Sequence, residues 1–350
     1  MGMSLQITPV LPDSDNATVE AYVEVMEALR VYEMPAFPPT TRREFDSYRA
    51  HPWPWQRSQP YLATADGVPV GRLVLQFPTR DNLKNMSVDL AVLPAYRRRG
   101  FGRELLAFAE EQARANGRET VMASSMWTLP ELGLTAPDEA APAFARAMGY
   151  RDTLPEVNRV LDLAKVDEDV LQEILDHARA KADGYQLVQW IGQTPEELID
   201  DIAYLDGRLL QDAPMGDTAW EPFEVDADRI RRTEAVMAAR GRQLYNSVMV
   251  HEKSDRVVAW TTLSLEADHQ WHSWQQITIV DPDHRGHRLG ALVKVENLRY
   301  LRQHEPQVTT VDTFNAHENG YMISINEQMG FRPQYSFQNW RRDLLGNPAE

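Results

Sequence analysis

The stretch YRRRGFG at residues 96–102 decides the fold of this chain, and DHRGHRLG at residues 283–290 repeats its arrangement. Each stretch follows an apolar segment typical of a strand and opens a long segment with helical periodicity. A strand that leads directly into a helix leaves the first backbone N–H groups of the helix unpaired, and the helix dipole favours an anion there. Both turns are therefore predicted to bind phosphate.

Glycines would let the first turn approach a phosphate closely. Gly100 and Gly102 carry no Cβ, and the neighbouring arginines add positive charge. The alternative is a solvated, arginine-rich helix start without a ligand. In the second turn Arg288 replaces Gly100. We expect Arg288 to keep right-handed helical dihedrals and to turn its guanidinium toward phosphate, and the alternative is that it blocks the site.

The order of predicted elements occurs twice. In each half a strand, two helices and three strands precede the turn, and a helix, a strand, a short helix and a final strand follow it. Because the turn follows the fourth strand, a dinucleotide-binding fold is excluded. We predict an α/β (α+β) protein of two domains, residues 1–164 and 184–350, joined by a linker helix over 165–183. Each domain is expected to be a mixed, mostly antiparallel sheet flanked by helices.

Composition restricts the function. The 350 residues, 43% of them hydrophobic, can fill two cores. We predict a cytoplasmic protein without a membrane partner, because no apolar run approaches the roughly 18 to 20 residues of a membrane span and no signal peptide is recognisable. The absence of cysteine excludes disulfides and thiolate nucleophiles. A net charge of −16 disfavours nucleic acid and favours small cationic amines.

Two histidine pairs are candidate metal ligands. His269 and His272, like His284 and His287, are three residues apart. Neither pair completes a ligand set, so no metal site is predicted.

The first turn resembles a known family signature. VDLAVLPAYRRRGFGRELL, residues 88–106, is similar to the coenzyme A signature of the GNAT acetyltransferase superfamily. That signature is a basic residue or glutamine, two residues, glycine, one residue, and then glycine or alanine. Arg97, Gly100 and Gly102 match all three positions.

The second turn resembles the same signature in ITIVDPDHRGHRLGALV, residues 277–293. Arg285 and Gly290 match, and Arg288 stands at the central glycine. The resemblance thus covers essentially the whole chain as two tandem GNAT-like domains.

The resemblance implies an acyltransferase that uses acetyl-CoA as a co-substrate and passes its acetyl group to an amine. The pantetheine arm would pair with backbone where the fourth strand separates from the fifth. The implied partner is a small-molecule amine, with the protein a monomer or homodimer. The implied coenzyme-binding residues are Ala91, Val92, Leu93, Arg97, Arg98, Arg99, Gly100, Phe101, Gly102, Arg103, Thr278, Ile279, Val280, Arg285, Gly286, His287, Arg288, Leu289 and Gly290.

A second family landmark is an asparagine followed by a tyrosine and a glycine-phenylalanine pair. The second half supplies Asn319, but Asn326 replaces the tyrosine, and the first half has Asp138 and Ala145 there. The resemblance therefore implies Asn319, Asn326 and Tyr321 as catalytic candidates. The second repeat is the favoured catalyst because it keeps the asparagine, and the intact glycines of the first repeat leave the opposite assignment open.

A general base is not evident from the sequence. Glu266, Asp312, Glu318 and Glu350 were considered, and each is more readily explained as a surface or capping group. The predicted function is N-acetylation of a small primary amine by direct attack on the thioester. The alternative is a catalytically inactive coenzyme A-binding sensor or scaffold, which the missing tyrosines favour.

Overall fold

The computed structural model describes residues 4–129 and 139–345, and the chain divides into two compact units. Each unit is assembled from segments that are distant in sequence. The first unit comprises the chain up to Glu156, Met215–Glu221 and the chain from Tyr335, and the second comprises Val157–Pro214 and Pro222–Gln334.

The first half of the sequence forms six strands and four α-helices within the described residues. The strands are β1 (Leu5–Pro9), β2 (Gln56–Ala65), β3 (Val68–Pro78), β4 (Asn85–Val92), β5 (Thr120–Thr128) and β6 (Arg151–Asp162). The helices are α1 (Asn16–Glu33), α2 (Arg42–Ala50), α3 (Phe101–Ala115) and α4 (Ala140–Ala147). The first turn joins β4 to α3, as the sequence predicts.

The second half repeats this order after one additional helix. Its strands are β7 (Tyr185–Ile191), β8 (Arg242–His251), β9 (Arg256–Glu266), β10 (His272–Val280), β11 (Thr310–Ala316) and β12 (Arg332–Asp343). Its helices are α5 (Glu168–Arg179), α6 (Ile199–Asp212), α7 (Ala227–Ala239), α8 (Leu289–His304) and α9 (Gly320–Met329). The second turn joins β10 to α8, and the predicted duplication is confirmed.

A mostly antiparallel sheet forms the centre of each unit. The strand order is β1-β2-β3-β4-β5-β12 in the first unit, where β4 and β5 are the parallel pair. In the second unit the order is β6-β11-β10-β9-β8-β7, and β10 and β11 pair in parallel. The predicted fold class, a mixed sheet flanked by helices, is confirmed.

The last strand of each half belongs to the other unit. From Tyr335 onward β12 pairs antiparallel with β5 in the first unit, where Trp340 Nε1 donates to Ser125 Oγ at 2.8 Å. After Glu156, β6 lies beside β11 in the second unit. The sequence predicted both strands but placed each in its own half. Alternating apolar residues predict a strand and its buried face without specifying its neighbour.

Helix α5 covers much of the predicted linker over residues 165–183. It is amphipathic, and its apolar stripe, which includes Leu171 and Leu175, is buried in the core that also contains α8. An apolar stripe of this width must be covered, so the helix becomes part of the second unit. The unit boundaries therefore differ from the predicted domain boundaries.

Helix α3 fixes the position of the first turn by packing on its sheet. Phe101, Leu105 and Ala109 lie on its buried face, in one core with Leu73 and Val88 of the sheet. Among the described residues no helix combines the length and the hydropathy needed to cross a membrane.

Candidate functional site

The turn between β4 and α3 gathers unpaired backbone N–H groups at the start of a 15-residue helix. Gly100 is the N-cap residue, and the Arg103 N–H donates to its carbonyl at 2.9 Å. The N–H groups of Gly100, Phe101 and Gly102 have no acceptor among the described residues. Three donors and the positive end of the helix dipole thus meet at one place, which suits an anion.

The two glycines of this turn have different roles. Gly100 has a φ of 95°, a left-handed conformation that favours glycine, and a Cβ there would meet only Glu104 Oε1 at 3.8 Å. At Gly102 a Cβ would lie 3.3 Å from the ring of Phe144 on α4. The sequence suggested that both glycines leave room for a phosphate. Instead, Gly100 permits the backbone conformation and Gly102 permits close packing of α4.

Strands β4 and β5 separate beside this turn. Their parallel pairing covers Asn85 to Val88 of β4 and then stops, although β4 continues to Val92 and β5 to Thr128. In this part of the described chain the edge of β4 that faces β5 has no strand partner. An open strand edge can hydrogen-bond an extended ligand.

The three backbone positions predicted for coenzyme binding in β4 face different ways. The Leu93 N–H donates to Val70 O at 2.9 Å. Because antiparallel pairing alternates, the N–H of Ala91 also points to β3, whereas those of Leu90 and Val92 point toward the gap beside β5. Of the predicted Ala91, Val92 and Leu93, Val92 has the orientation that binding requires, and Leu90 is an additional position.

The turn between β10 and α8 has the same form with a different central residue. Arg288 is the N-cap residue with a φ of 57°, and Gly286 has a φ of 87°. The N–H groups of Gly286, Leu289 and Gly290 have no acceptor within the described ranges. The expected right-handed conformation of Arg288 is wrong: it adopts the left-handed region as Gly100 does. For a residue with a Cβ that conformation costs about 1 kcal/mol.

Strands β10 and β11 also separate. Their pairing covers His272 to Trp274, while β10 continues to Val280. A bulge in β10 between Gln275 and Thr278 shifts its register with β9. The backbone predicted to hold coenzyme, Thr278 to Val280, lies beyond this bulge. There β10 pairs with β9 but no longer with β11.

A lysine is buried behind this bulge. Lys294 of α8 is 1% exposed, and its Nζ lies 3.2 Å from Gln275 Oε1, while Gln275 Nε2 donates to Ile277 O at 2.9 Å. Burial lowers the pKa of Lys294 to about 7, because the ammonium loses its hydration. When the two repeats are registered on their turns, the corresponding residue is Leu106.

The arginine that leads each turn is paired with a carboxylate. Arg97 Nη2 lies 2.7 Å from Glu33 Oε1, at the last residue of α1, and Arg97 Nε donates to Val92 O at 3.0 Å. Arg285 Nη2 lies 3.0 Å from Asp212 Oδ2, at the last residue of α6. The sequence placed these arginine charges around a phosphate, and the structure gives both of them protein partners.

The other predicted turn residues lie around the free N–H groups. Arg99 Nη2 donates to Ala95 O at 3.2 Å, and His287 Nδ1 lies 3.0 Å from Lys181 O. Three arginines are exposed, and their guanidinium groups have no partner within the described residues: Arg98, Arg103 and Arg288.

The three residues predicted to be catalytic, Asn319, Asn326 and Tyr321, lie in different environments. The Asn319 side chain caps α9 by accepting the Met322 N–H at 3.3 Å. Asn326 is completely buried and donates to Asn315 Oδ1 at 2.7 Å. Tyr321 is 62% exposed on α9. The two asparagines therefore support the local fold, and the tyrosine faces solvent.

Asp312, one of the carboxylates considered as a base, lies in a buried network. Its Oδ2 is 2.7 Å from His272 Nε2, and its Oδ1 accepts from Asn158 Nδ2 at 2.9 Å. All three side chains are buried, which places this carboxylate away from any incoming amine.

The other carboxylates considered give no evident base. Glu266 forms an ion pair with Arg242, and Glu318 lies exposed in the turn before α9. Glu350 lies outside the described residues, as does Asp138, which stands at the asparagine position of the family landmark in the first half.

A polar cluster between α1 and β4 was missed by the sequence analysis. Arg72 of β3 holds Asp89 of β4 in a two-bond ion pair with distances of 2.7 and 3.0 Å. Burial raises the pKa of Tyr22 to about 12, against the opposing effect of Arg72. Burial also raises the pKa of Glu33, against the opposing effect of Arg97. The cluster places two carboxylates next to the first turn.

The second repeat has apolar residues at the corresponding positions. Registering the two turns aligns Asp89 with Ile277 and places Trp260 at the strand position of Arg72. The signal for the cluster in the sequence is a single acidic residue, Asp89, in the otherwise apolar stretch VDLAVL at residues 88–93. The first repeat thus combines a complete glycine turn with nearby ionisable groups.

Comparisons with known proteins agree with this geometry. Residues 24–150, which contain the first turn, match the model of the Acetyltransferase (GNAT) family. The whole chain is similar to a solved tandem GNAT protein from the clavulanic acid biosynthesis pathway, determined without acetyl-CoA. The identity is 29%, the match covers 99% of this chain and 100% of that chain, and the TM-score is 0.80.

Two further solved structures share the fold. One is a GCN5-related glucosamine N-acetyltransferase region in a fungal multi-domain GH3 β-N-acetylglucosaminidase, with 15% identity over 98% of this chain and 38% of that chain and a TM-score of 0.69. The other is a GCN5-related N-acetyltransferase from Sphaerobacter thermophilus, with 14% identity over 97% of this chain and 95% of that chain and a TM-score of 0.62. A search of curated proteins gave no match.

The fold, the duplicated turn and these similarities define an acetyltransferase-like protein of tandem architecture. The resemblance to GNAT acetyltransferases of the tandem type is confirmed, because residues 24–150 match the family model and the whole chain is similar to a tandem GNAT protein. Acetyl transfer is the general reaction that these similarities support.

Proposed function

We propose that this protein transfers the acetyl group of acetyl-CoA to the primary amine of a small molecule, and that the first unit carries the coenzyme site. The observation that supports this most strongly is the turn before α3. It presents the free N–H groups of Gly100, Phe101 and Gly102 beside the gap between β4 and β5.

The residues of the first turn fit a diphosphate with an extended arm. The free N–H groups and the exposed side chains of Arg98 and Arg103 would hold the negative charge. The N–H of Val92, directed toward the gap, would bind the arm as an added strand does. Bound acetyl-CoA supplies a thioester whose C–S bond breaks as the new C–N bond forms.

The amine must lose a proton before it can attack. A primary amine of pKa about 10.4 is mostly protonated at neutral pH, and deprotonating it costs about 4 to 5 kcal/mol. We assign the removal of this proton, directly or through water, to Asp89, whose side chain is 56% exposed and held by Arg72. The N–H of Leu90, which also points toward the gap, would steady the thioester oxygen as negative charge develops.

The favoured site is thus in the first repeat, although the sequence favours the second. The sequence favours the second repeat because it retains Asn319, but that side chain caps α9. The first turn keeps Gly100, and the carboxylate of Asp89 lies on the adjoining strand. In the proposal, Gly100 serves coenzyme binding and Asp89 serves the proton transfer.

A coenzyme A-binding sensor is the second candidate. The position of the family tyrosine is occupied by Ala145 in the first repeat and by the buried Asn326 in the second, and neither can protonate a departing thiolate. A thiol of pKa about 8.5 is a fair leaving group without such an acid, so the enzyme remains the first candidate.

Calorimetric titration with acetyl-CoA tests the coenzyme site. We expect Gly100→Ala to weaken binding by about tenfold or more, because the changed backbone removes charge-assisted N–H bonds. The matched control is Gly117→Ala, since Gly117 has a φ of 67° and open space around its Cβ position. Equal affinity of the two variants would refute the assignment.

Thiol release over a panel of polyamines, aminoglycosides and amino-acid amides tests the reaction. Release that depends on amine concentration supports the enzyme. Binding of acetyl-CoA without turnover across the panel supports the sensor.

A further inference from the structure

The leading arginine of the first turn joins three separate elements. Its Nη2 binds Glu33 at the end of α1, and its Nε binds the carbonyl of Val92 at the end of β4. The Arg97 N–H itself donates to Pro94 O at 3.2 Å within the turn. The Arg97 side chain thus holds the end of a helix and the end of a strand together, and its backbone N–H bonds within the turn.

The pairing leaves little charge for an anion. The side chains of Arg97 and Glu33 are 22% and 27% exposed, so the pair is largely enclosed, and its two charges cancel. The ring of Tyr32 also lies 5.1 Å from the Arg97 guanidinium. A diphosphate at the turn would have to compete with the carboxylate for this cation.

The second unit repeats the arrangement with a different acid. Arg285 binds Asp212 at the end of α6, and Arg208 binds the same carboxylate at 2.7 Å. The residue type differs between the repeats, while the place in the fold is the same: it is the last residue of the α-helix that follows the first strand of each repeat. Its occurrence in both units indicates a role in shaping the turn.

We propose that Arg97 is a positioning residue, which acts with Glu33 to hold the coenzyme turn in shape rather than as a ligand of the phosphates. The inference rests on the proposed function for its consequence in binding. The backbone N–H groups of Gly100 to Gly102 then supply the contacts to the anion. Glu33 of α1 stabilises the turn through its ion pair with Arg97.

Substitution of the carboxylate distinguishes the two roles by sign. If Arg97 positions the turn, Glu33→Gln weakens acetyl-CoA binding by about tenfold, because the turn loses its support. If Arg97 is a phosphate ligand, the same substitution strengthens binding, because it frees the cation. The matched control is Glu24→Gln at an exposed position of α1, which we expect to change affinity by less than about twofold.

Amide hydrogen exchange without ligand separates this inference from the proposed function. The Tyr96 and Arg103 N–H groups are bonded within the turn, at 2.9 Å each, and report its integrity. We expect both to exchange at least about fivefold faster in Glu33→Gln and Arg97→Gln than in Glu24→Gln. Unchanged exchange, or tighter coenzyme binding by Glu33→Gln, overturns the positioning role. Failure of the wild-type protein to bind acetyl-CoA would instead refute the proposed function, and the exchange result would still decide the role of the pair.

Discussion

Replacement of Lys294 by methionine is expected to stabilise the protein at neutral pH. The buried ammonium has a pKa lowered to about 7, against about 10.4 for an exposed lysine. This difference corresponds to about 4 to 5 kcal/mol of lost stability. The substitution also leaves Gln275 Oε1 without its donor, which costs about 1 to 3 kcal/mol. The net gain for Lys294→Met is therefore about 2 kcal/mol at pH 7.

The pH dependence gives the sign of the effect. Between pH 7 and pH 10.4 the unfolded chain binds the lysine proton more tightly than the folded chain, so wild-type stability rises with pH by up to about 1.4 kcal/mol per unit from this group. Lys294→Met lacks this contribution. Its advantage should shrink as pH rises and reverse near about pH 9, where the folded wild-type amine is neutral and still bonded to Gln275.

Urea unfolding at pH 7, 8 and 9, followed by tryptophan fluorescence, measures both quantities. Lys253→Met, at an exposed position in the turn after β8, is the control and should alter neither stability nor its slope with pH. A loss of stability in Lys294→Met at pH 7, together with an unchanged slope, would show that the ammonium is hydrated and that the reasoning is wrong.

Two further outcomes follow from the turns and the polar cluster. Arg288→Gly should raise the free energy of unfolding in urea by about 1 kcal/mol, because glycine adopts the left-handed conformation without strain. Arg288→Ala should give no such gain. Equal stabilities of these two variants would contradict the argument. Asp89→Asn should lower kcat by about 100-fold or more while calorimetry shows unchanged affinity for acetyl-CoA. An unchanged kcat would remove Asp89 from the reaction.

The turns and the order of helices and strands could be predicted from the sequence, because residues close together in the chain specify them. The YRRRGFG stretch predicted a turn between strand and helix, and the duplicated order of elements predicted two related units. Each of these features depends on residues close together in the chain. The fold class followed from them.

Features that depend on distant residues were not predicted. The exchange of β6 and β12 depends on which strand edge is available, and the partners of Arg97 and Arg285 lie more than sixty residues earlier in the chain. The burial of Lys294 was equally hidden, because a lysine in an amphipathic helix is ordinarily solvated. Arg288 was assigned the wrong backbone conformation because a side chain with a Cβ ordinarily avoids the left-handed region.

A crystal structure with acetyl-CoA tests the central claim most directly. We expect the diphosphate to lie within hydrogen-bond distance of the backbone nitrogens of Gly100 to Gly102, with the arm along β4. A diphosphate bound by the turn before α8 alone, or an Arg97 guanidinium turned from Glu33 to the phosphates, would contradict the account.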